Sequence, residues 1–111
     1  MDIKFKTNKL RKQFEPREMV KKWGPQIARK LQTRMNEFKG AENLAEIATL
    51  PGPACHQLGQ NRDNQFAVTL KEPYRLIFEP SDDPPALKKD GGYDWEHIKT
   101  ILIIEVVDYH D

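Results

Sequence analysis

Asp108, Tyr109 and His110 follow a nearly unbroken apolar run, Ile101-Leu102-Ile103-Ile104 and then Val106-Val107. A carboxylate, a phenol and an imidazole at the end of a buried strand are groups that handle protons, and an imidazole, titrating near about 6.5, passes a proton either way around neutrality. Arg75 is embedded in a second apolar stretch, Tyr74-Arg75-Leu76-Ile77-Phe78. A guanidinium there must reach water, pair with a carboxylate or bind an anion, and its planar fork matches two phosphate oxygens. If the strand of Arg75 lies beside the last strand, a cation, a carboxylate and an imidazole converge. The plainer alternative is an Arg75 to Asp108 ion pair with His110 at a frayed end.

Cys55-His56 has the composition of a thiol nucleophile with its base, yet neighbours in an extended chain point to opposite faces. Cys55 therefore reads as a small buried residue. His56, His97, His110 and the aspartates Asp82, Asp83, Asp90 and Asp94 match no metal-ligand spacing, so no metal is expected. The acidic loop and His97 at its edge read as solvated surface. One cysteine excludes an internal disulfide framework.

These residues need a scaffold, and the hydropathy pattern supplies one. Asp2 to Lys6 alternates and predicts a short strand burying Ile3 and Phe5. Asn8 is placed to cap a short helix through Phe14, and Arg17 to Trp23 makes a further turn or two with Val20 and Trp23 inward. Pro25 to Lys39 is the clearest helix, with Ile27, Leu31, Met35 and Phe38 on one face and Gly40 expected to end it in a left-handed conformation. Asn43 to Leu50 predicts a weaker helical turn stopped by Pro51-Gly52-Pro53. From His56 the period becomes two: a short strand to Leu58, a turn over Gly59 to Asn64, a strand with Phe66, Val68 and Leu70 inward, then Tyr74 to Phe78. Residues 80 to 96 read as an inserted loop or hairpin. The order predicts a single α+β domain over residues 1 to 111, an N-terminal strand and helices on a mainly antiparallel sheet.

A chain of 111 residues with 32% charged side chains has room for one modest core. Its start lacks a charged-then-apolar leader and no stretch is long and apolar enough for a bilayer, so a cytoplasmic protein without a membrane partner is expected. Charge is unevenly spread. Residues 1 to 40 hold 12 Lys and Arg against 4 Asp and Glu, whereas residues 41 to 111 hold 6 against 13. With Arg29, Lys30, Thr33, Arg34 and Glu37 on the outer side of the helix, the basic surface fits nucleic acid, an acidic protein or plain solvation.

The segments Leu50-Pro51-Gly52-Pro53, His56 with Leu58, Tyr74-Arg75-Leu76-Ile77-Phe78-Glu79-Pro80 and Val106-Val107-Asp108-Tyr109-His110 resemble, in that order and spacing, the HigB-type toxins of the RelE/ParE toxin superfamily. The resemblance covers most of the chain. It implies a RelE/ParE-like fold and a toxin of a type II toxin-antitoxin system: a ribosome-dependent endoribonuclease that cuts messenger RNA and is held by a cognate helix-turn-helix antitoxin. It places Arg75, His110, Asp108, Tyr109 and His56 in the cleft, and implies no cofactor. Arg75 would neutralise phosphoryl charge, His110 or His56 would move protons, Asp108 would orient a neighbour and Tyr109 would stack on a base. Arg62, Arg29, Lys30 and Arg34 are the cations expected to meet RNA or the ribosome. Relatives of this type carry lysines where Gly59 and Asp63 stand, so a shallower salt dependence of RNA binding is expected. The alternative is a non-catalytic member that binds an antitoxin or another target.

Overall fold

Thr7, Pro16, Gly24 and Asn43 punctuate the first half of the chain. In the computed structural model, which describes residues 1–108, they separate a strand β1 (Asp2–Phe5) from helices α1 (Asn8–Gln13), α2 (Pro16–Gly40) and α3 (Leu44–Ala48). Thr7, not Asn8, caps α1: its hydroxyl accepts from the Leu10 amide at 3.0 Å. Asn43 caps α3 in the same way, accepting from the Glu46 amide at 3.1 Å. Gly24 breaks α2 with φ at 84°, a left-handed value that glycine adopts without a steric penalty, and Pro25 restarts the helix.

Two further expectations for this layer are corrected. Gly40 is helical, and α2 ends at Ala41, whose extended backbone (φ −85°, ψ 147°) stops the helix without a left-handed residue. Val20 points outward at 46% exposure and Met19 is buried in its place. Spacing could not decide between them, because Met19 lies four residues and Val20 three residues before Trp23, and either separation puts the pair on one side of a helix.

The period-two segments form β2 (His56–Gln57), β3 (Phe66–Thr69), β4 (Tyr74–Pro80) and β5 (Thr100–Asp108), with 3-10 turns at Gln60–Arg62 and Trp95–His97. The strand order is β1-β5-β4-β3-β2. β1 runs parallel to β5, and the other pairs are antiparallel. The fold is thus α+β, with three helices and an open, mixed, five-stranded sheet.

Strand alternation sorts the apolar residues into two clusters. Phe66, Val68, Leu76, Phe78, Ile101 and Ile103 meet Leu31, Met35 and Phe38 of α2 and Leu44 and Ile47 of α3 in the main core. The Phe38 and Phe78 rings cross at 5.1 Å centroid separation, an edge-to-face contact. On the opposite pleat Leu58, Ala67, Ile77 and Ile104 make a smaller cluster bordered by Leu102 and Val107. Residues 80 to 96 do more than loop: Leu87 bridges Tyr93, and Tyr93 and Trp95 pack edge-on against Phe66. Asp82 fastens this hairpin by accepting the Lys99 amide at 2.8 Å.

Candidate functional site

Register decides which polar side chains share the smaller cluster's face. His56 is opposite Ala67, Ala67 opposite Ile77, and Ile77 opposite Glu105. One row further along, Thr69 faces Arg75 and Arg75 faces Val107. Directly opposed residues of antiparallel strands project from the same side. His56, Arg75 and Glu105 therefore rise from one face, around a strip floored by Ala67 and Ile77. Two strand spacings and a two-residue offset put the Cα atoms of His56 and Arg75 about 12 Å apart.

Each group on this face has a partner. Arg75 Nη2 contacts both Glu72 carboxylate oxygens, at 2.9 and 3.2 Å, and its Nη1 donates to the Tyr74 carbonyl at 3.0 Å. The arginine side chain is 16% exposed, whereas Glu72 is 74% exposed. Arg62, from the 3-10 turn, donates to Gln65 at 3.0 Å and to Glu105 at 3.4 Å, and Gln65 donates to Glu79 at 3.3 Å. The exposed His56 ring sets Nδ1 3.0 Å from the Ala54 carbonyl. A carbonyl only accepts, so Nδ1 carries the hydrogen and Nε2 of the neutral ring is left to accept a proton. Ala54 itself takes a left-handed φ of 47°, a conformation that costs a non-glycine residue about 1–2 kcal/mol.

Asp108 is exposed and lies opposite Tyr74, so by alternation it projects from the other side of the sheet than Arg75. The expected convergence is corrected accordingly: the two strands are neighbours, but the register is one residue off from bringing Arg75 and Asp108 to the same face. Tyr109 and His110 lie outside the described residues. Arg29 and Lys30 are exposed on α2, away from this face. Arg34 is not on the basic surface. It is 5% exposed, with Nε donating to the Thr69 carbonyl at 2.7 Å, Nη2 to the Gly52 carbonyl at 3.0 Å and Nη1 to Glu37 at 2.9 Å. A guanidinium so enclosed supports the chain that leads to His56 and cannot meet RNA.

Sequence reasoning missed Glu105, Gln65 and Glu79. Glu105 was discoverable by the argument that singled out Arg75, since it is the only charged residue between Ile101 and Val107. Among the described residues no group of three or more His, Cys, Asp or Glu side chains is placed to hold a metal ion. Among the described residues no helix is long and apolar enough to cross a membrane.

Cys55 packs half-buried against the main core while His56 is exposed. Burial pushes the thiol up to about 12 from 9.0. Because the folded value is raised, the unfolded chain loses its thiol proton first. Stability is unaffected below pH 9.0 and falls as pH rises from there toward about 12. Two results follow: native protein reacts with iodoacetamide at pH 8 far more slowly than urea-unfolded protein, and Cys55→Ala flattens part of the alkaline fall in melting temperature. Tyr93, raised by burial and then by Glu79, adds to that fall in the same direction. A thiol that alkylates equally fast folded and unfolded contradicts this assignment.

No protein-family model and no curated protein sequence matches the chain.

Proposed function

We propose that the protein is a RelE/ParE-like toxin of HigB type that cuts messenger RNA in the ribosome and is neutralised by a helix-turn-helix antitoxin. The observation that carries the reading is the placement of Arg75 and His56 on one sheet face, flanking a small apolar cluster that takes none of its described members from α1, α2 or α3. Attack of a ribose 2'-hydroxyl on the adjacent phosphorus needs a base at the nucleophile, charge neutralisation at the phosphoryl oxygens and a proton for the departing 5'-oxygen. His56 Nε2 is suited to take the first proton, and Arg75 to hold the phosphate. Asp108 ends the strand paired with Arg75's strand, and His110, two residues on in the sequence, is the remaining proton carrier in this scheme.

One observation favours the second reading, a non-catalytic binding protein of the same fold. Arg62 and Arg75 already face internal carboxylates, Glu105 and Glu72, so the face carries little free positive charge. Induced expression with mapping of messenger RNA 5' ends separates the two. The toxin reading expects cuts at fixed codon positions that disappear when translation is blocked. Unaltered growth with intact messages would transfer the weight to the binding reading.

A further inference from the structure

Backbone strain is concentrated around β2. Among the described residues the non-glycine positions with positive φ are Ala54, just before this strand, and Gln60 and Asn64, in the turn that follows it, at 47°, 55° and 67°. Such conformations persist where the surroundings hold them. Here the hairpin over residues 80 to 96 does so: Tyr93 Oη donates to Asn64 Oδ1 at 3.2 Å, and the Tyr93 ring packs on Phe66 at 5.5 Å. The same turn carries Arg62, whose Nη1 reaches Glu105 on β5 at 3.4 Å. β4 lies between β5 and the strand that Arg62 leads into, so the arginine side chain crosses β4 to make this contact. Gln65, which accepts from the same Nη1 at 3.0 Å and donates to Glu79 at 3.3 Å, marks its course. Ala67 and Ile77 beneath are fully buried, although their cluster takes no described member from a helix. The methylene stem of an arginine has the chemistry to cover them.

We propose that Arg62 is a strap across the sheet-face site: latched on Glu105 in the free protein, hinged on the turn that Tyr93 holds, and swung off Glu105 when a phosphodiester takes its guanidinium. Tyr93 is then a positioning residue that acts through Asn64. The proposal rests on the reading of this face as the RNA-cleaving site and adds to it a device that keeps the site closed when empty. The latch suits that task because it is weak. Arg62 and Glu105 are 30% and 46% exposed, and pairs so open to solvent are easily exchanged. A phosphate offers the guanidinium the charge that Glu105 supplies, together with two oxygens that match its fork. Opening adds a second guanidinium to the face that carries Arg75 and uncovers the apolar floor at Ala67 and Ile77. A pair that served stability alone would have no need of a strained turn, pinned from a separate hairpin, to aim it.

Nuclear magnetic resonance of the full chain reads the strap through the Ile77 and Ile104 methyl signals and the Arg62 Nε–H signal. In the free protein Glu105→Gln and Arg62→Ala are expected to shift both methyls in the same direction. Tyr93→Phe, which keeps the ring on Phe66, is expected to move the Arg62 signal and to shift the methyls part of the way. The ligand probe is a single-stranded 2'-O-methyl RNA of mixed sequence, which lacks the attacking hydroxyl. It is expected to move the wild-type methyls along the same path. Glu105→Gln should bind it about two- to fivefold more tightly, the factor for removing an exposed competing pair, and Arg62→Ala more weakly. Methyl signals that ignore Glu105→Gln and Arg62→Ala, or a Glu105→Gln protein that binds the RNA no better than wild type, overturn the strap. An Arg62 signal indifferent to Tyr93→Phe removes Tyr93 from it. The two levels fail differently: a protein that cuts messages while its methyls ignore the variants loses the strap alone. One whose methyls respond, but which neither binds the RNA nor cuts messages, loses the phosphodiester trigger and the toxin reading together.

Discussion

Arg34→Ala is expected to destabilise the protein by about 3–5 kcal/mol, the cost of breaking a buried, hydrogen-bonded ion pair. The arginine ties three separate parts of the chain together: its own helix through Glu37, the end of β3 through the Thr69 carbonyl, and the Pro51 loop through the Gly52 carbonyl. Thr69 reinforces the same junction, its hydroxyl donating to Gly52 at 3.0 Å. Removing the guanidinium takes the charged donor from the Thr69 carbonyl and the ion-pair partner from Glu37, while Gly52 keeps the Thr69 hydroxyl; a buried group left without its partner costs about 1–3 kcal/mol. Arg34→Lys is expected to recover little, since a single ammonium cannot imitate a fork aimed at three acceptors. Urea unfolding monitored by circular dichroism measures the effect. A shift worth less than about 1 kcal/mol, the value typical of exposed pairs, would mean that Arg34 is a surface cation after all.

Arg34 also shows where sequence reading failed and why. Leu31, Arg34 and Phe38 are spaced three and four apart, so helical periodicity alone puts Arg34 on the inner stripe. Its charge argued for the outside, and residue type was allowed to override phase. The acceptors that make burial tolerable, Thr69 and Gly52, are far away in sequence and carry no local signal. By contrast β3, β4 and β5 were legible because their faces are apolar enough to display strand alternation. The α2 stripe from Ile27 to Phe38 was legible for the same reason.

What hydropathy could not supply was pairing. Nothing in Asp2 to Phe5 marks β1 as a parallel neighbour of β5, and nothing local fixes the register that separates Arg75 from Asp108. That one-residue choice moves a carboxylate from the side of the guanidinium to the reverse of the sheet. Acidic composition likewise hid the packing of the 80 to 96 hairpin, although Tyr93 and Trp95 within it are the side chains that a core would recruit. For the proposed cleft the sequence offers candidate residues, but not the carboxylates that pair with Arg62 and Arg75.

Those carboxylates make Arg75 and Glu72 a pair of variants with opposite expected signs. If Arg75 holds the scissile phosphate, Arg75→Ala should lower messenger RNA cleavage by about 10²–10³-fold, the scale for losing a donor to developing charge. Loss of one phosphate contact should also reduce the salt slope of RNA binding by about one. Stability should change little, because the partner is 74% exposed and exposed pairs contribute about 0–1 kcal/mol. Glu72→Gln removes the carboxylate that competes with phosphate for the same guanidinium while leaving a neutral group of equal size. It is expected to tighten RNA binding, most clearly at low salt, with the gain appearing in KM more than in kcat. Cleavage assays on translating ribosomes with both variants decide the point. An Arg75→Ala protein that cuts at the normal rate removes Arg75 from the site. A Glu72→Gln protein that binds RNA more weakly shows instead that Glu72 holds the guanidinium in its working position.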